Sequence, residues 1–326
     1  MNGPIKDAEL RQLAGTTLPS LRHAGVSYRL ERVIGEGAQG IVFLASRVSE
    51  QAPLSIVVKL LRPRAVRELA DLAAASIGKE VAALERLSER VPSPPHVVRF
   101  YDTGTLRIRD LALELPWVAV EYVDGGSEGT TLRTRVLASV ARGGFAFDAQ
   151  RAQRALINIT AGVAAIHEVG VLHRDVNPGN VLCSGSEASE VFKLADFGLA
   201  RVSSASTFGN VLLGTPGYCA PEQSFPDKVG AGPHSDVFSI ACCYYFVLTG
   251  EPYFTAPTIP EMLVAVYGAP RRRLRAAPAL RPELQAQHAA CAELDRVLAW
   301  ATAADPRQRP QTASELRDAL LGVVGA

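Results

Sequence analysis

The spacing of apolar residues changes character at about residue 124. Between residues 28 and 122 the apolar positions fall in short runs or alternate with polar ones, the period-two signature of strands. Five strands are predicted there, at 28–34, 41–45, 54–61, 97–101 and 116–122. Ala73, Ile77, Val81, Leu84 and Leu87 recur every three or four residues and predict one helix over 67–89. Asp124-Gly125-Gly126-Ser127-Glu128-Gly129 breaks the pattern and marks a boundary. Beyond it the period is mostly helical, with segments at 148–170, 235–249, 258–267, 291–303 and 312–321. The clearest of these starts on an Asp148 cap, buries Ala152, Ala155, Leu156, Ile159, Val163 and Ile166, and stops at Gly170. Two short strands, 181–183 and 191–195, read as a hairpin within this helical half. Residues 1–27 carry no motif and are expected to be an extension that packs or stays disordered.

Composition narrows the class. At 326 residues the chain can bury a substantial core, and 48% hydrophobic with 21% charged residues is the balance of a globular protein. A net charge of +1 gives no bulk electrostatic reason to bind nucleic acid or a membrane surface, and neither partner is expected. The longest apolar run, 237–248, is about 12 residues, too short for a bilayer and better read as a core helix. Cys183, Cys219, Cys242, Cys243 and Cys291 form no CxxC pair and no metal-ligand spacing, which predicts buried thiols in a reducing cytoplasm. The start of the chain lacks a charged-then-apolar signal pattern, in keeping with that location.

The candidate chemistry is centred on residues 171–182, where apolar pairs bracket His173-Arg174-Asp175-Val176-Asn177-Pro178-Gly179-Asn180. If the hairpin forms, Asn180 and Asp196 emerge side by side at one of its ends. Two oxygen ligands beside a free carboxylate, Asp175, suit Mg²⁺ held on a phosphate while a base addresses the nucleophile. Upstream, Gly35-Glu36-Gly37-Ala38-Gln39-Gly40 joins two strands, so it is no Rossmann fingerprint, which must open a helix. Such glycines let backbone N–H groups approach phosphate oxygens, although a plain hairpin turn has the same composition. Lys59 lies in an apolar strand and needs either a partner or a route to solvent. Glu80 and Glu85 are the candidate partners, and surface pairing is the alternative for both.

Taken in order, Gly35-x-Gly37-x-x-Gly40-x-Val42, Lys59, Glu80, His173-Arg174-Asp175, Asn180, Asp196-Phe197-Gly198 and Ala220-Pro221-Glu222 resemble the eukaryotic-type (Hanks-type) serine/threonine protein kinases. The resemblance covers about residues 28–322, and alanine- and arginine-rich usage suits a bacterial member. It implies an α+β, two-lobed fold: a small antiparallel five-stranded sheet plus one helix over 28–123, and a larger, mainly helical lobe over 124–326. It further implies ATP and Mg²⁺ as cofactors and serine or threonine hydroxyls of proteins as acceptors. Ile34 and the loop Gly35, Glu36, Gly37, Ala38, Gln39, Gly40 with Val42 would cover the ATP phosphates. Lys59, oriented by Glu80, would hold the α- and β-phosphates. Val120 would line the adenine pocket, and Glu121 and Val123 would offer backbone groups to the adenine edge. Asp175 would orient the acceptor hydroxyl and take its proton, with Asn180 and Asp196 on the metal. Thr215, in Gly214-Thr215-Pro216-Gly217-Tyr218, would bond toward Asp175; Glu222 would pair with Arg309; and Asp236 would brace the catalytic loop, a helix cap being its simpler reading.

The chain departs from that pattern at Asn177, where serine/threonine members usually carry lysine. Losing a charge-assisted contact of about 1.5–3 kcal/mol slows catalysis by roughly one to two powers of ten. A weakly active or silent nucleotide-binding scaffold is the alternative that this residue raises. Phe238 and Ala241 replace a usual tryptophan and glycine and are expected to affect helix packing only. Arg174 beside Asp175 predicts control by a phosphate on the activation segment, with Ser203, Ser204, Ser206 and Thr207 as candidate acceptors. Arg271-Arg272-Arg273-Leu274-Arg275 reads as a solvated basic loop rather than a docking site.

Overall fold

The computed structural model describes residues 10–37, 40–50, 52–61, 84–108, 113–186, 189–196, 215–223, 230–255, 258–268 and 270–324. They form two compact units. The first takes in the described residues up to Ser93 together with Val98–Tyr122, and the second takes in Pro94–Val97 and the described residues from Val123 onward.

The first unit is built on one antiparallel sheet. Its strands are β1 (Thr17–Pro19), β2 (Ser27–Glu36), β3 (Gly40–Val48), β4 (Leu54–Leu61), β5 (Phe100–Ile108) and β6 (Leu113–Glu121), in the order β1-β2-β3-β4-β6-β5. Four of the five expected strands are present close to their expected bounds; the fifth, expected at 97–101, runs instead from Phe100 to Ile108, and residues 1–27 prove to pack and add a sixth strand. Thr17–Pro19 pairs with Arg29–Ser27 at the edge of the sheet, and Leu10 and Leu18, 2% and 1% exposed, sit in its core. The extension shows no strand-length alternation, so its pairing could not be read from pattern alone.

Alternation along β3, β4 and β6 separates two faces. Ile41, Leu60 and Trp117 align in one row and Phe43, Val58 and Ala119 in the next, all buried. The opposite face carries the rows Val42–Lys59–Val118 and Leu44–Val57–Val120, all half-buried. Of the helix predicted over 67–89, residues 84–88 are described and are helical; the remainder to residue 83 lies outside the described residues.

In the second unit the principal helices are α1 (Leu132–Gly143), α2 (Ala149–Glu168), α3 (Pro233–Thr249), α4 (Ile259–Gly268), α5 (His288–Ala301) and α6 (Ala313–Val324), with the hairpin β7 (Val181–Ser184) and β8 (Val191–Leu194). Asp148 caps α2 by accepting the Arg151 N–H, and Gly170 ends it at φ +78°, where a side chain would be strained. α3 is buried on all sides from Ser235 to Thr249, which accounts for its continuous apolar run. Phe238 stacks on Phe254 with centroids 5.6 Å apart and lies beneath the Arg309 guanidinium. No helix among the described residues is long and apolar enough to cross a membrane.

The basic run differs from the expected solvated loop. Arg271 donates to the carbonyls of Val266 and Thr302 and lies over the Phe254 ring, while Arg272 donates to Pro252 O and pairs with Glu251. Guanidinium groups with orphan carbonyls in reach are staples of the fold.

Candidate active site

In the first unit the glycine turn closes β2 onto β3, with Gly37 N–H donating to Gly40 O at 3.0 Å. Its glycines serve different ends. A Cβ on Gly40 would come within 2.3 Å of the Leu60 carbonyl, so β4 requires glycine there. A Cβ on Gly37 would meet nothing within 4 Å, leaving the open approach that a phosphate needs. Val42, Lys59 and Val120 share the half-buried face, and Ile34 is 38% exposed. Glu121 gives its N–H to Arg99 O at 2.8 Å, so that N–H is already engaged within the sheet. Glu85, one of the two candidate partners of Lys59, is ion-paired with Arg22 instead. Glu80, Ala38 and Gln39 lie outside the described residues.

In the second unit the hairpin forms as expected. Val181 pairs with Leu194, and Ala195 N–H donates to Asn180 O at 2.9 Å, which sets Asn180 against the residue preceding Asp196. Phe197, Gly198 and the segment 203–207 lie outside the described residues. Asp175 is held from both sides. Its Oδ1 accepts from the Thr215 N–H and from Thr215 Oγ1, each at 3.0 Å, and its Oδ2 accepts from Asn180 Nδ2 at 3.0 Å. Asn180 Nδ2 also donates to Asp175 O, which leaves Oδ1 as the atom of that side chain able to meet a cation.

The backbone beneath is fixed by Asp236, which lies in the first turn of α3. This fully buried carboxylate accepts from His173 N–H at 2.9 Å, Arg174 N–H at 2.7 Å and His167 Nε2 at 2.7 Å. Burial alone would raise its pKa, but the His167 hydrogen bond, the two histidines and the backbone N–H outweigh it and hold the carboxyl below its ordinary value. Arg174 sits at φ +62°, a conformation costing about 1–2 kcal/mol for a non-glycine residue, and those bonds sustain it. The Arg174 carbonyl accepts from Gln223 Nε2 at 2.7 Å. His173 completes the frame, its Nε2 donating to Ala195 O at 3.0 Å and its Nδ1 accepting the Asp175 N–H. Glu222 and Arg309 form a buried two-pronged pair at 2.8 and 3.0 Å, and Ser235 Oγ donates to the same carboxylate.

A family model described as the protein kinase domain matches residues 28–320. The chain belongs to the protein kinase family. It is 33% identical over 312 residues to the serine/threonine-protein kinase PknB of Mycobacterium tuberculosis, covering 94% of this chain and 44% of that protein. It is 32% identical over 302 residues to the serine/threonine-protein kinase pkn2 of Myxococcus xanthus, covering 90% and 32%. The chain thus spans less than half the length of these curated relatives. Among solved structures, the PknI kinase domain of M. tuberculosis matches with a TM-score of 0.65 at 25% identity, covering 96% of this chain and 99% of that one. The α+β, two-lobed protein kinase fold implied by the motifs is the fold found.

Within this kinase domain Asn177 is more than a missing lysine. It is 6% exposed; its Nδ2 donates to Asp175 O and to Thr215 Oγ1, both at 3.0 Å, and its Oδ1 accepts the Gly179 N–H at 2.8 Å. The amide braces the turn and steers the Thr215 hydroxyl toward Asp175. Asn177→Lys is therefore expected to move rate and stability in opposite directions. Turnover rises by up to one to two powers of ten from the added charge, and stability falls by about 1–3 kcal/mol as the Gly179 N–H loses its acceptor. Turnover and chemical denaturation of the same preparation check both signs; a slower variant would show that the brace outweighs the charge.

Sequence reasoning missed His167, Gln223 and a buried cluster in which Arg135 and Arg151 both bind Glu190, at 2.6 and 2.7 Å. Arg135 also donates to the carbonyls of Gly125, Gly129 and Gly185, fastening the break after residue 123 to the hairpin. None of these residues has a motif or spacing that marks it, because their roles arise from tertiary packing.

Proposed function

We propose that this kinase domain transfers the γ-phosphate of ATP to serine and threonine hydroxyls of proteins, its own activation segment among them. The observation that carries the reading is the setting of Asp175, a carboxylate aimed by Thr215 and Asn180 on a loop whose backbone Asp236 holds. In the first unit, the open turn at Gly35–Gly37 and Lys59 would hold the nucleotide phosphates, with Val42 and Val120 against the base and the Glu121 backbone at its edge. In the second, Asp175 would orient the acceptor hydroxyl and take its proton, and Thr215 would keep the carboxylate turned toward it.

Asn180 Oδ1 and the exposed carboxylate of Asp196 are a pair of hard oxygen donors, the set that Mg²⁺ takes in preference to softer metals. Bound there, Mg²⁺ would neutralise phosphate charge. Asp196 stands at φ +59°, a region that aspartate tolerates better than most side chains. The silent-scaffold alternative finds no support, since Asn177 has a positive role in the loop. Protein acceptors and a cytoplasmic setting belong to the same proposal, the latter supported by five buried cysteine thiols.

The test is γ-labelled ATP with Mg²⁺ and a serine- and threonine-rich acceptor protein. Label is expected on serine or threonine of the acceptor and of the kinase itself, and chelation of the divalent ion is expected to abolish it. Absence of label on every hydroxyl acceptor tried would overturn the reading.

A further inference from the structure

Glu36 lies between Gly35 and Gly37, so the nucleotide loop carries a carboxylate where the proposed reading brings a triphosphate. An unpaired anion there would oppose polyphosphate binding. The N-terminal extension answers that charge. Arg11 Nε donates to Glu36 Oε1 at 2.6 Å and Nη2 to Oε2 at 3.0 Å, a fork that fixes direction as well as charge. The Arg11 side chain is 61% exposed and that of Glu36 25%, so the pair lies at the surface of the sheet.

The arginine is also well anchored. Its neighbour Leu10 is in the sheet core, Gly15 N–H donates to Leu30 O at 2.7 Å, and Leu30 N–H donates to Thr16 O at 2.9 Å. Beyond β1, Ser20 Oγ donates to the buried Asp102 at 2.5 Å and Arg22 pairs with Glu85. The extension is thus tied to the sheet on both sides of Arg11, and a pull on Glu36 is resisted by the sheet itself.

We propose that Arg11 is a positioning residue of the nucleotide loop: it neutralises Glu36 and tethers the Gly35–Gly37 segment to the extension, so that the loop accepts the phosphates of ATP. This rests on the ATP reading above. Three variants of the full chain, Arg11→Ala, Glu36→Gln and the double variant, are compared with wild type. The readouts are the dissociation constant of a fluorescent ATP analogue with Mg²⁺, and amide exchange at Gly37 without nucleotide. Arg11→Ala is expected to weaken binding about two- to fivefold, the range of a partly exposed ion pair, and less at high salt. It is also expected to speed exchange at Gly37. In the Glu36→Gln background the same substitution should change neither readout, which a purely structural role for Arg11 would not predict. Wild-type binding with Arg11→Ala unchanged, or an equal loss in both backgrounds, overturns this proposal alone. A wild type that binds no nucleotide overturns the ATP reading and this proposal with it.

Discussion

Asp175→Asn is expected to lower kcat by about 10²–10⁴, the usual contribution of a positioned base, while the fold survives. The substitution keeps shape and removes the ability to take a proton. It also sets an NH₂ among donors, since Oδ1 faces two from Thr215 and Oδ2 faces Asn180 Nδ2. The less crowded arrangement turns the new NH₂ toward Asn180, whose own amide can rotate to present oxygen at the expense of its bond to the residue 175 carbonyl and of the Oδ1 proposed for the metal, which adds to the loss of rate. At most one hydrogen bond is then compromised, about 1–3 kcal/mol. Turnover and thermal midpoint should therefore part company, the first collapsing and the second moving by a few degrees. A variant retaining activity within tenfold of wild type would remove Asp175 from the proposed role.

How much of this was legible beforehand differs from element to element. The hairpin that brings Asn180 to Asp196 follows from two short apolar runs and a turn, and it forms as an antiparallel pair with both residues at the expected end. The α2 boundaries follow from Asp148 and Gly170, local signals that tertiary packing left intact. Asp236 could be read only as a helix cap or, through the family resemblance, as a loop brace, and its two bonds to the His173 and Arg174 N–H groups make it a brace. By contrast, the pairing of Thr17–Pro19 with β2 has no periodic signature, because a three-residue strand with one buried position shows no alternation. Arg271 and Arg11 share that difficulty. A charged residue in an irregular stretch looks solvated until the carbonyls or carboxylate that it meets are known, and those come from distant parts of the chain. Asn177 was visible as a departure from the family, but the three bonds that give it a use depend on how Thr215 returns to the loop.

Glu222→Ala is expected to cost about 3–5 kcal/mol of stability, the range for removing one partner of a buried ion pair. The Arg309 side chain is wholly buried and would keep its charge with only the carbonyls of Ala303, Ala304 and His234 to accept its N–H groups. Ser235 would lose its acceptor as well. Replacing both members, Glu222→Met with Arg309→Met, should be less damaging than Glu222→Ala alone, because no uncompensated charge remains. The pair also sets an acid limit. Burial by itself would raise the Glu222 pKa, but the Arg309 hydrogen bonds and charge outweigh it and hold the carboxyl below its ordinary value. A carboxylate depressed in the folded state adds stability that is fully present above its unfolded pKa of about 4.3 and is lost as pH falls through the lower folded value. The stability gap between wild type and Glu222→Ala should accordingly be constant near neutrality and narrow only in strong acid. Denaturant titrations across that range measure it; a gap that widens on acidification would mean that Arg309 does not hold Glu222 in its charged form.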